Sequence, residues 1–365
     1  MKILLTGGGT GGHLIPLLSV IEEIKKRDAN AEFLFVGPKS DFNDTLRDAG
    51  VEIKEVSAGK FRRYFSLENF SDIFKVLMGT DQAFFYILKF KPDVIFSKGG
   101  FASVPAVVAA SYTRIPILTH ESDTVPGLAN KLIGRFARKI FISFPQTRNY
   151  FPDSKIIVSG NPIRKDILAG DKKRAQRFFA LRENLPVVLV FGGSQGAQKI
   201  NETLLDALPQ LLENFQIIHI CGTKNLDELE KKTNELNLVH KNRYKIYSYL
   251  NEEMKDAFAL SDFVISRAGA NSLAEIIALE KPGLIVPLLS AANNHQYHNA
   301  KYFADQNMIL LAEEKDLNGD KLSEKLNELR NRKGEIAENL KKYNESSGGK
   351  KPVEIIAAEI LKIRK

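Results

Sequence analysis

The chain has 365 residues, about twice the usual length of one domain, so its length predicts two domains. Hydrophobic residues make up 44% and charged residues 26%, an ordinary balance that excludes wholesale disorder. The single cysteine, Cys221, excludes an internal disulfide. The formal net charge of +8 fits nucleic acid, anionic lipid or a phosphorylated metabolite and selects none of them.

No stretch of the sequence is apolar enough for a membrane-spanning helix, and its first residues do not follow the order of a signal peptide. We therefore expect a cytoplasmic protein, with attachment to a membrane surface left open. Basic residues without acids are concentrated between residues 124 and 152.

Short β-branched or aromatic runs alternate with helical patterns along the first half and again along the second. The predicted strands are residues 3–6, 32–36, 93–97, 116–120 and 139–143, then 186–191, 216–221, 263–266 and 284–287. Strands separated by helices predict right-handed βαβ units and a parallel sheet covered on both faces. The sequence therefore predicts an α/β protein with two doubly wound parallel sheets.

Turn residues without periodicity place the domain boundary near Pro162, giving domains 1–162 and 163–345. Residues 346–365 read as a linker and a helix that starts at Pro352 and could return to the first domain.

The first glycine-rich loop lies between a strand and a helix expected to begin near Leu14. Gly7, Gly9 and Gly12 match G-x-G-x-x-G, but the second strand ends without the acid of a dinucleotide site, so NAD is disfavoured. A purely structural tight turn remains open. His13 would face the crevice above the strand ends, where a neutral imidazole can act as a base. A histidine that only caps the loop fits equally well.

Two further glycine-rich loops lie in the second half. Residues 191–197 lead into a helix, so their amides and the Ser194 hydroxyl could receive a phosphate, although the loop lacks the lysine of an NTPase. Residues 266–272 precede a helix carrying Glu275, whose carboxylate could accept hydrogen bonds from a sugar or could simply be a surface group. Three such helix starts predict a nucleotide sugar in an interdomain cleft.

Several blocks of residues occur together in one order: 8–13 with Pro16, 120–121 with 126–131, 160–164, 192–197, 266–269 with Glu275, and 295–296 with Asn299. Over nearly the whole chain they resemble the MurG family of bacterial peptidoglycan N-acetylglucosaminyltransferases. The resemblance implies the GT-B fold, in which two Rossmann-like domains face a cleft. It also implies inverting transfer of GlcNAc from UDP-GlcNAc to the muramyl 4-hydroxyl of undecaprenyl-pyrophosphoryl-MurNAc-pentapeptide (lipid I), which makes lipid II.

The resemblance also assigns site residues. For UDP-GlcNAc it implies Thr10, Gly11, Gly12, His13, Asn130, Arg164, Ser194, Gln195, Gly196, Ala197, Arg267, Gly269, Glu275 and Gln296. The acceptor is expected at Gly8, Gly9 and Thr10. His13 is the first choice of base, with Glu121 and Asp123 as alternatives or orienting partners. Many relatives carry Gln-Asn where this chain has Ser122 and Asp123, which leaves the base assignment open.

No metal and no cofactor are expected, because the donor loops lack an Asp-x-Asp pair and His295 and His298 lack a neighbouring ligand. A phenylalanine-rich, basic segment predicts contact with an anionic membrane at the cytoplasmic face. Its residues include Arg62, Arg63, Phe74, Lys75 and Phe85. Packing of a phenylalanine-rich helix on its own sheet would account for the same rings.

The expected partners are UDP-GlcNAc, lipid I, an anionic membrane surface and cell-wall synthesis proteins, with no nucleic acid. Three other functions remain open at this stage: a transferase of the same fold that acts on another lipid such as diacylglycerol, a UDP-GlcNAc epimerase, and a non-catalytic UDP-sugar-binding scaffold that recruits cell-wall proteins.

Overall fold

A computed structural model describes residues 1–9, 11–41, 43–59, 68–181, 184–192, 197–346 and 351–364. The chain divides into two compact units: unit 1 contains residues 1–164 and 350–365, and unit 2 contains residues 165–349. Each unit is built on one parallel sheet with helices, which confirms the predicted α/β class. Arg164, which we expected in the second domain, is the last residue of the first segment of unit 1.

The strands of both sheets run parallel to their neighbours. Those of unit 1 are β1 (Lys2–Thr6), β2 (Glu32–Gly37), β3 (Glu52–Glu55), β4 (Val94–Ser97), β5 (Ile117–Glu121), β6 (Lys139–Ile142) and β7 (Ile156–Val158). Those of unit 2 are β8 (Val187–Phe191), β9 (Gln216–Ile220), β10 (Tyr244–Tyr247), β11 (Phe263–Ser266), β12 (Gly283–Ile285) and β13 (Leu310–Leu311). The orders are β3-β2-β1-β4-β5-β6-β7 and β10-β9-β8-β11-β12-β13. The strand order therefore reverses beside β1 in unit 1 and beside β8 in unit 2.

Helices connect most of these strands. They are α1 (Gly11–Arg27), α2 (Asn43–Asp48), α3 (Glu68–Phe90), α4 (Val104–Ser111), α5 (Leu128–Phe136), α6 (Lys172–Phe179), α7 (Gln198–Leu211), α8 (Leu226–Glu235), α9 (Glu253–Leu260), α10 (Ala270–Ala278), α11 (His295–Ala304), α12 (Gly319–Asn331), α13 (Lys333–Ser346) and α14 (Pro352–Leu361). None of the helices within the described ranges is both long and apolar enough to cross a lipid bilayer.

Both faces of the unit 1 sheet are covered by apolar helix faces. On one face, Leu14 and Ile24 of α1 and Ile356 of α14 pack with the side chains of alternate strand residues. On the other face, α3, α4 and α5 contribute residues such as Ile87 and Ile133. The central strands are buried on both sides, as a parallel sheet between two helical layers requires. This packing fixes the strand ends that carry the site.

Four strands that we did not predict occupy the four outer edges of the two sheets. They are β3, β7, β10 and β13. The predicted strands are the inner strands of the two sheets, and their predicted ends differ from the observed ones by at most two residues.

Candidate active site

The carboxyl ends of β1, β4 and β5 lie side by side in the unit 1 sheet. Because the strand order reverses between β1 and β4, the connections leave the sheet in opposite directions and open a crevice at this edge. Three loops follow these ends: Gly7 to Gly9, Lys98 to Gly100, and Ser122 to Asp123. Charged and polar side chains collect here, several of them buried.

The His13 imidazole lies in the first turn of α1, against two glycines. A Cβ atom on Gly8 would lie 2.5 Å from His13 Cδ2, and one on Gly100 would lie 3.3 Å from His13 Nε2. His13 Nδ1 lies 3.4 Å from the carbonyl oxygen of Lys98, which only accepts hydrogen bonds, so Nδ1 carries the proton. Nε2 then holds the lone pair, and the structure gives it no hydrogen-bond partner among the described residues.

The protonation of His13 follows from its surroundings. Burial, and after it the positive charge of Lys98, lower the pKa of His13 to about 4. The imidazole is therefore neutral at pH 7, which is the form that can accept a proton. Burial is the main cause of this neutrality.

Lys98 is a buried lysine, only 1% exposed, at the end of β4. Its Nζ lies 2.9 Å from His120 Nδ1 and 3.4 Å from Asn161 Oδ1, and it also donates to Ser122 Oγ. An ammonium group only donates, so His120 Nδ1 accepts and Nε2 donates to the Gly160 carbonyl at 3.0 Å. Lys98 thereby connects β4, the loop after β5, and the loop after β7.

The ionisation of this pair is set mainly by burial. Burial lowers the pKa of Lys98 to about 8, against the opposing charges of Glu121 and Asp123. Burial, and then Lys98, lower the pKa of His120 well below its usual value. At pH 7 the lysine is charged and His120 is neutral, which agrees with the direction of their hydrogen bonds.

Glu121 ends β5 as a buried carboxyl group. Its Oε1 accepts from the Asp123 backbone N–H at 2.9 Å, and its Oε2 accepts from Asn130 Nδ2 at 2.7 Å. Burial, followed by the nearby Asp123 carboxylate, raises the pKa of Glu121 to about 7. Asn130 Oδ1 in turn accepts from the Gly100 N–H at 3.1 Å. Glu121 can therefore exchange a proton near neutral pH while Asn130 connects it to the loop beside His13.

The structure brings several predicted residues to this one edge. His13, Glu121, Asp123 and Asn130 lie there with Gly8 and Gly9, and Gly11 and Gly12 begin α1. Thr10 lies outside the described residues. From the sequence we assigned no site role to Lys98, His120 or Asn161. The sequence signal near Lys98 is the glycine pair that follows it, Gly99 and Gly100, and the structure gives both a positive φ.

The donor residues predicted for unit 2 follow β8, β11 and β12. Ser194, Gln195 and Gly196 lie outside the described residues, and Ala197 is buried at the start of α7. Gly269 is the N-cap of α10, which carries the partly exposed Glu275. Gln296 Oε1 accepts from the Leu288 N–H at 3.0 Å, which holds the loop after β12.

Arg267, also predicted to bind the donor, is buried and engaged within the protein. Its Nη1 lies 3.2 Å from the Val286 carbonyl and 3.4 Å from the Pro287 carbonyl, and its Nη2 forms an ion pair with Glu314. Its side chain therefore joins the loop after β11 to the loop after β12. Arg267 thus supports the loops after β11 and β12.

No group of three or more His, Cys, Asp or Glu side chains suited to a metal ion occurs in the part of the chain that the structure describes.

Helix α3 carries a row of exposed apolar side chains. Phe74 is 70% exposed and Phe85 is 61% exposed, and Leu77, Met78 and Leu88 are exposed with them. Lys75 forms an ion pair with Asp72 at 3.0 Å on the same helix. Arg62 and Arg63 lie outside the described residues. Five large apolar groups at helical spacing on a solvent-facing side are unusual for a surface helix.

Family comparisons match both units. The glycosyltransferase family 28 N-terminal domain matches residues 3–142, and the glycosyltransferase family 28 C-terminal domain matches residues 187–353. A UDP-N-acetylglucosamine–N-acetylmuramyl-(pentapeptide) pyrophosphoryl-undecaprenol N-acetylglucosamine transferase of Bacillus anthracis is 40% identical over 98% of this chain and 99% of its own. The transferase of the same name from Clostridium botulinum is 40% identical over 97% and 98%.

Solved structures agree with these relatives. MurG of Acinetobacter baumannii has a TM-score of 0.75 at 25% identity and covers 99% of both chains. The UDP-GlcNAc 2-epimerase of Neisseria meningitidis has a TM-score of 0.68 at 15% identity, covering 100% of this chain and 99% of its own, a likeness of fold alone.

Proposed function

The chain belongs to the MurG family of N-acetylglucosamine transferases, and from this membership we propose that it moves GlcNAc from UDP-GlcNAc to the muramyl 4-hydroxyl of lipid I, with inversion at the anomeric carbon. The proton of this hydroxyl passes to His13 Nε2 while its oxygen bonds to the anomeric carbon. The bond from that carbon to the β-phosphate oxygen breaks, and UDP leaves with the electron pair. The reaction needs no covalent nucleophile.

The observation that carries this proposal is the state of His13. The ring is neutral, its Nδ1 is engaged by the Lys98 carbonyl, and its Nε2 lies between Gly8 and Gly100 at the sheet edge where ligands of this fold class bind. Glu121 and Asp123 are proposed to orient the acceptor sugar. The family alone does not assign a base, whereas this arrangement favours His13 over the two carboxyl groups.

Unit 2 is proposed to bind the donor. The backbone amides of residues 193–197 and the N-terminus of α10 would receive the diphosphate, because helix N-termini favour anions. Glu275 would accept from the ribose hydroxyls, and Gln296 would lie near the GlcNAc hydroxyls. Arg164 and Asn130 are also proposed to contact UDP-GlcNAc, as the resemblance implies.

Turnover of variants tests the role of His13. With a short-chain lipid I analogue, we expect His13→Gln to lower kcat by about a hundred- to ten-thousandfold, the usual contribution of a general base. The dissociation constant for UDP, measured by calorimetry, should stay within about threefold of the wild-type value. Loss of UDP affinity with an unchanged kcat would move His13 to the donor side and contradict the assignment.

We also propose that the exposed row on α3 rests on an anionic membrane, together with Lys75, Arg62 and Arg63. Apolar side chains flanked by basic groups bind the interface by combined burial and electrostatic attraction. The acceptor's isoprenoid tail stays in the bilayer, so an enzyme that acts on it needs such a contact.

Vesicle sedimentation tests this surface. We expect Phe74→Ser with Phe85→Ser to reduce binding to vesicles of anionic phospholipid by about tenfold or more, because two exposed rings that would insert into the lipid are lost. Val239→Ser, which removes an 89% exposed apolar side chain of unit 2, is the control. Equal binding by all three proteins would exclude α3 as the contact.

A further inference from the structure

The Lys98 ammonium group is placed in a way that costs free energy. It is removed from water, yet its hydrogen-bond partners are a neutral imidazole, a hydroxyl and a side-chain amide oxygen. Among the described residues it forms no salt bridge with a carboxylate. A buried charge without a direct counter-charge destabilises a fold, so its presence here indicates a task other than packing.

We propose that Lys98 is a positioning residue for the transfer reaction: its ammonium group joins His120, Ser122 and Asn161 into one frame, and its own carbonyl orients the His13 imidazole. This inference rests on the proposed function. The Lys98 backbone is held in place by its N–H, which donates to the Thr6 carbonyl at 2.8 Å. One residue therefore fixes the carbonyl that selects the His13 tautomer and the side chains that surround the strand ends.

The charge of Lys98 has a second effect on the same groups. The titratable groups that face it are His13, His120, Glu121 and Asp123. A positive charge opposes protonation of His13 and favours ionisation of Glu121, so its removal raises the pKa of both. A base whose pKa rises is protonated at higher pH. The acid limb of the pH-rate profile should then move to higher pH.

Kinetics of Lys98→Met tests the proposal, because methionine keeps an apolar stem and removes the charge. We expect kcat to fall about ten- to hundredfold, the cost of a misplaced catalytic group, with KM for UDP-GlcNAc within about twofold of wild type. The acid limb should move up by about one pH unit. Lys26→Met, an exposed lysine in the last turn of the same helix as His13, should match the wild type in all three quantities.

A spectroscopic measurement reports on His13 without any turnover. The chain has six histidines, so NMR of the labelled imidazoles can identify His13 as the signals lost in His13→Gln. In the wild type, His13 should hold its proton on Nδ1 and titrate near pH 4. In Lys98→Met, it should titrate about one unit higher and keep its proton on Nδ1, because the substitution retains the backbone carbonyl.

An unchanged kcat together with an unchanged His13 titration would overturn the proposal. If Lys98→Met does not fold, Ser122→Ala removes one partner of the ammonium group but keeps its charge, so kcat should fall about three- to tenfold while the acid limb stays in place. An unchanged kcat in that variant overturns the proposal as well. Absence of transfer by the wild type would contradict the proposed function instead, and the NMR titration would still decide the role of Lys98.

Discussion

The two units end their sheets with different kinds of chemical groups. At the carboxyl edge of unit 1, buried titratable side chains lie together. Burial lowers the pKa values of His13 and Lys98 and raises that of Glu121, which in each case favours the neutral form of the side chain. At the corresponding edge of unit 2, α7 follows β8 and α10 follows β11, and the charge of Arg267 after β11 is balanced by Glu314. The first arrangement suits proton transfer, and the second suits the binding of an anion.

The buried histidines show the same difference. In unit 2, His219 Nδ1 lies 2.8 Å from the Tyr244 hydroxyl and its Nε2 lies 2.9 Å from Asn201 Oδ1. Burial lowers the pKa of His219 to about 3, so it is as neutral as His13. Both its ring nitrogens are hydrogen-bonded, whereas the residues that the structure describes engage only Nδ1 of His13. A shifted pKa therefore does not single out a base, whereas a ring nitrogen without a partner among the described residues supports the proposed assignment to His13.

The largest effect is expected in unit 2, where charge balance is structural. Glu314→Ala leaves the buried Arg267 guanidinium without its carboxylate and should cost about 3–5 kcal/mol in the free energy of unfolding, measured with urea. Glu313→Ala, which breaks a more exposed pair with Lys315, should change it by less than about 0.5 kcal/mol. Equal losses of stability in the two variants would show that the buried pair of Arg267 with Glu314 contributes no more than the exposed pair of Lys315 with Glu313.

In unit 1 we expect a substitution beside His13 to lower kcat while the affinity for the donor changes little. Gly8→Ala would place a Cβ 2.5 Å from His13 Cδ2 and displace the ring, so kcat should fall about a hundredfold. Gly127→Ala is the control, because a Cβ there meets nothing within 4 Å. A Gly8→Ala enzyme with normal kcat would show that the ring position does not matter for transfer.

A third prediction concerns the pH dependence of stability. The pKa of Glu121 is raised from an ordinary value near 4.5 to about 7, so the folded state loses stability as pH rises through this window. Glu121→Gln removes that loss. Its free energy of unfolding relative to the wild type should increase by about 2–3 kcal/mol between pH 5 and pH 8. A constant difference across this range would mean that Glu121 titrates normally.

The smallest effect is expected at His219 of unit 2, whose two ring nitrogens are both hydrogen-bonded. Tyr244→Phe removes the hydroxyl that bonds His219 Nδ1 and should cost about 1 kcal/mol in stability. The pH-rate profile should not move, because His219 takes no part in the reaction. Tyr112→Phe, at a 78% exposed position, should change neither quantity. A shifted acid limb in Tyr244→Phe would contradict the contrast between the histidines.

The sequence was sufficient for the inner strands, and it failed at the edges for a physical reason. Central strands such as β8 are buried on both faces, so their apolar runs are continuous. An edge strand pairs on one side only and can carry mostly polar residues, as β3 does with three charged residues out of four, and β13 has only two residues. In a single sequence, such short or polar segments cannot be distinguished from loops.

The site was predicted in the same uneven way. His13, Glu121 and Asn130 lie in motifs that the sequence displays, and the structure brings them to one edge. Lys98 looks like a solvated lysine before a glycine turn, because its partners His120, Ser122 and Asn161 are 22 to 63 residues away. The pairing of Arg267 with Glu314 spans 47 residues and is equally invisible. Long-range hydrogen bonds leave no local pattern.

Helix α14 has a consequence for biosynthesis. Ile356 and Ile360 complete one wall of the unit 1 core, although nearly two hundred residues separate them from Arg164. During translation, the first 164 residues therefore leave the ribosome with an apolar strip of α1 uncovered. That strip stays exposed until all of unit 2 has been made, so the half of the enzyme that is synthesised first is the last to be finished.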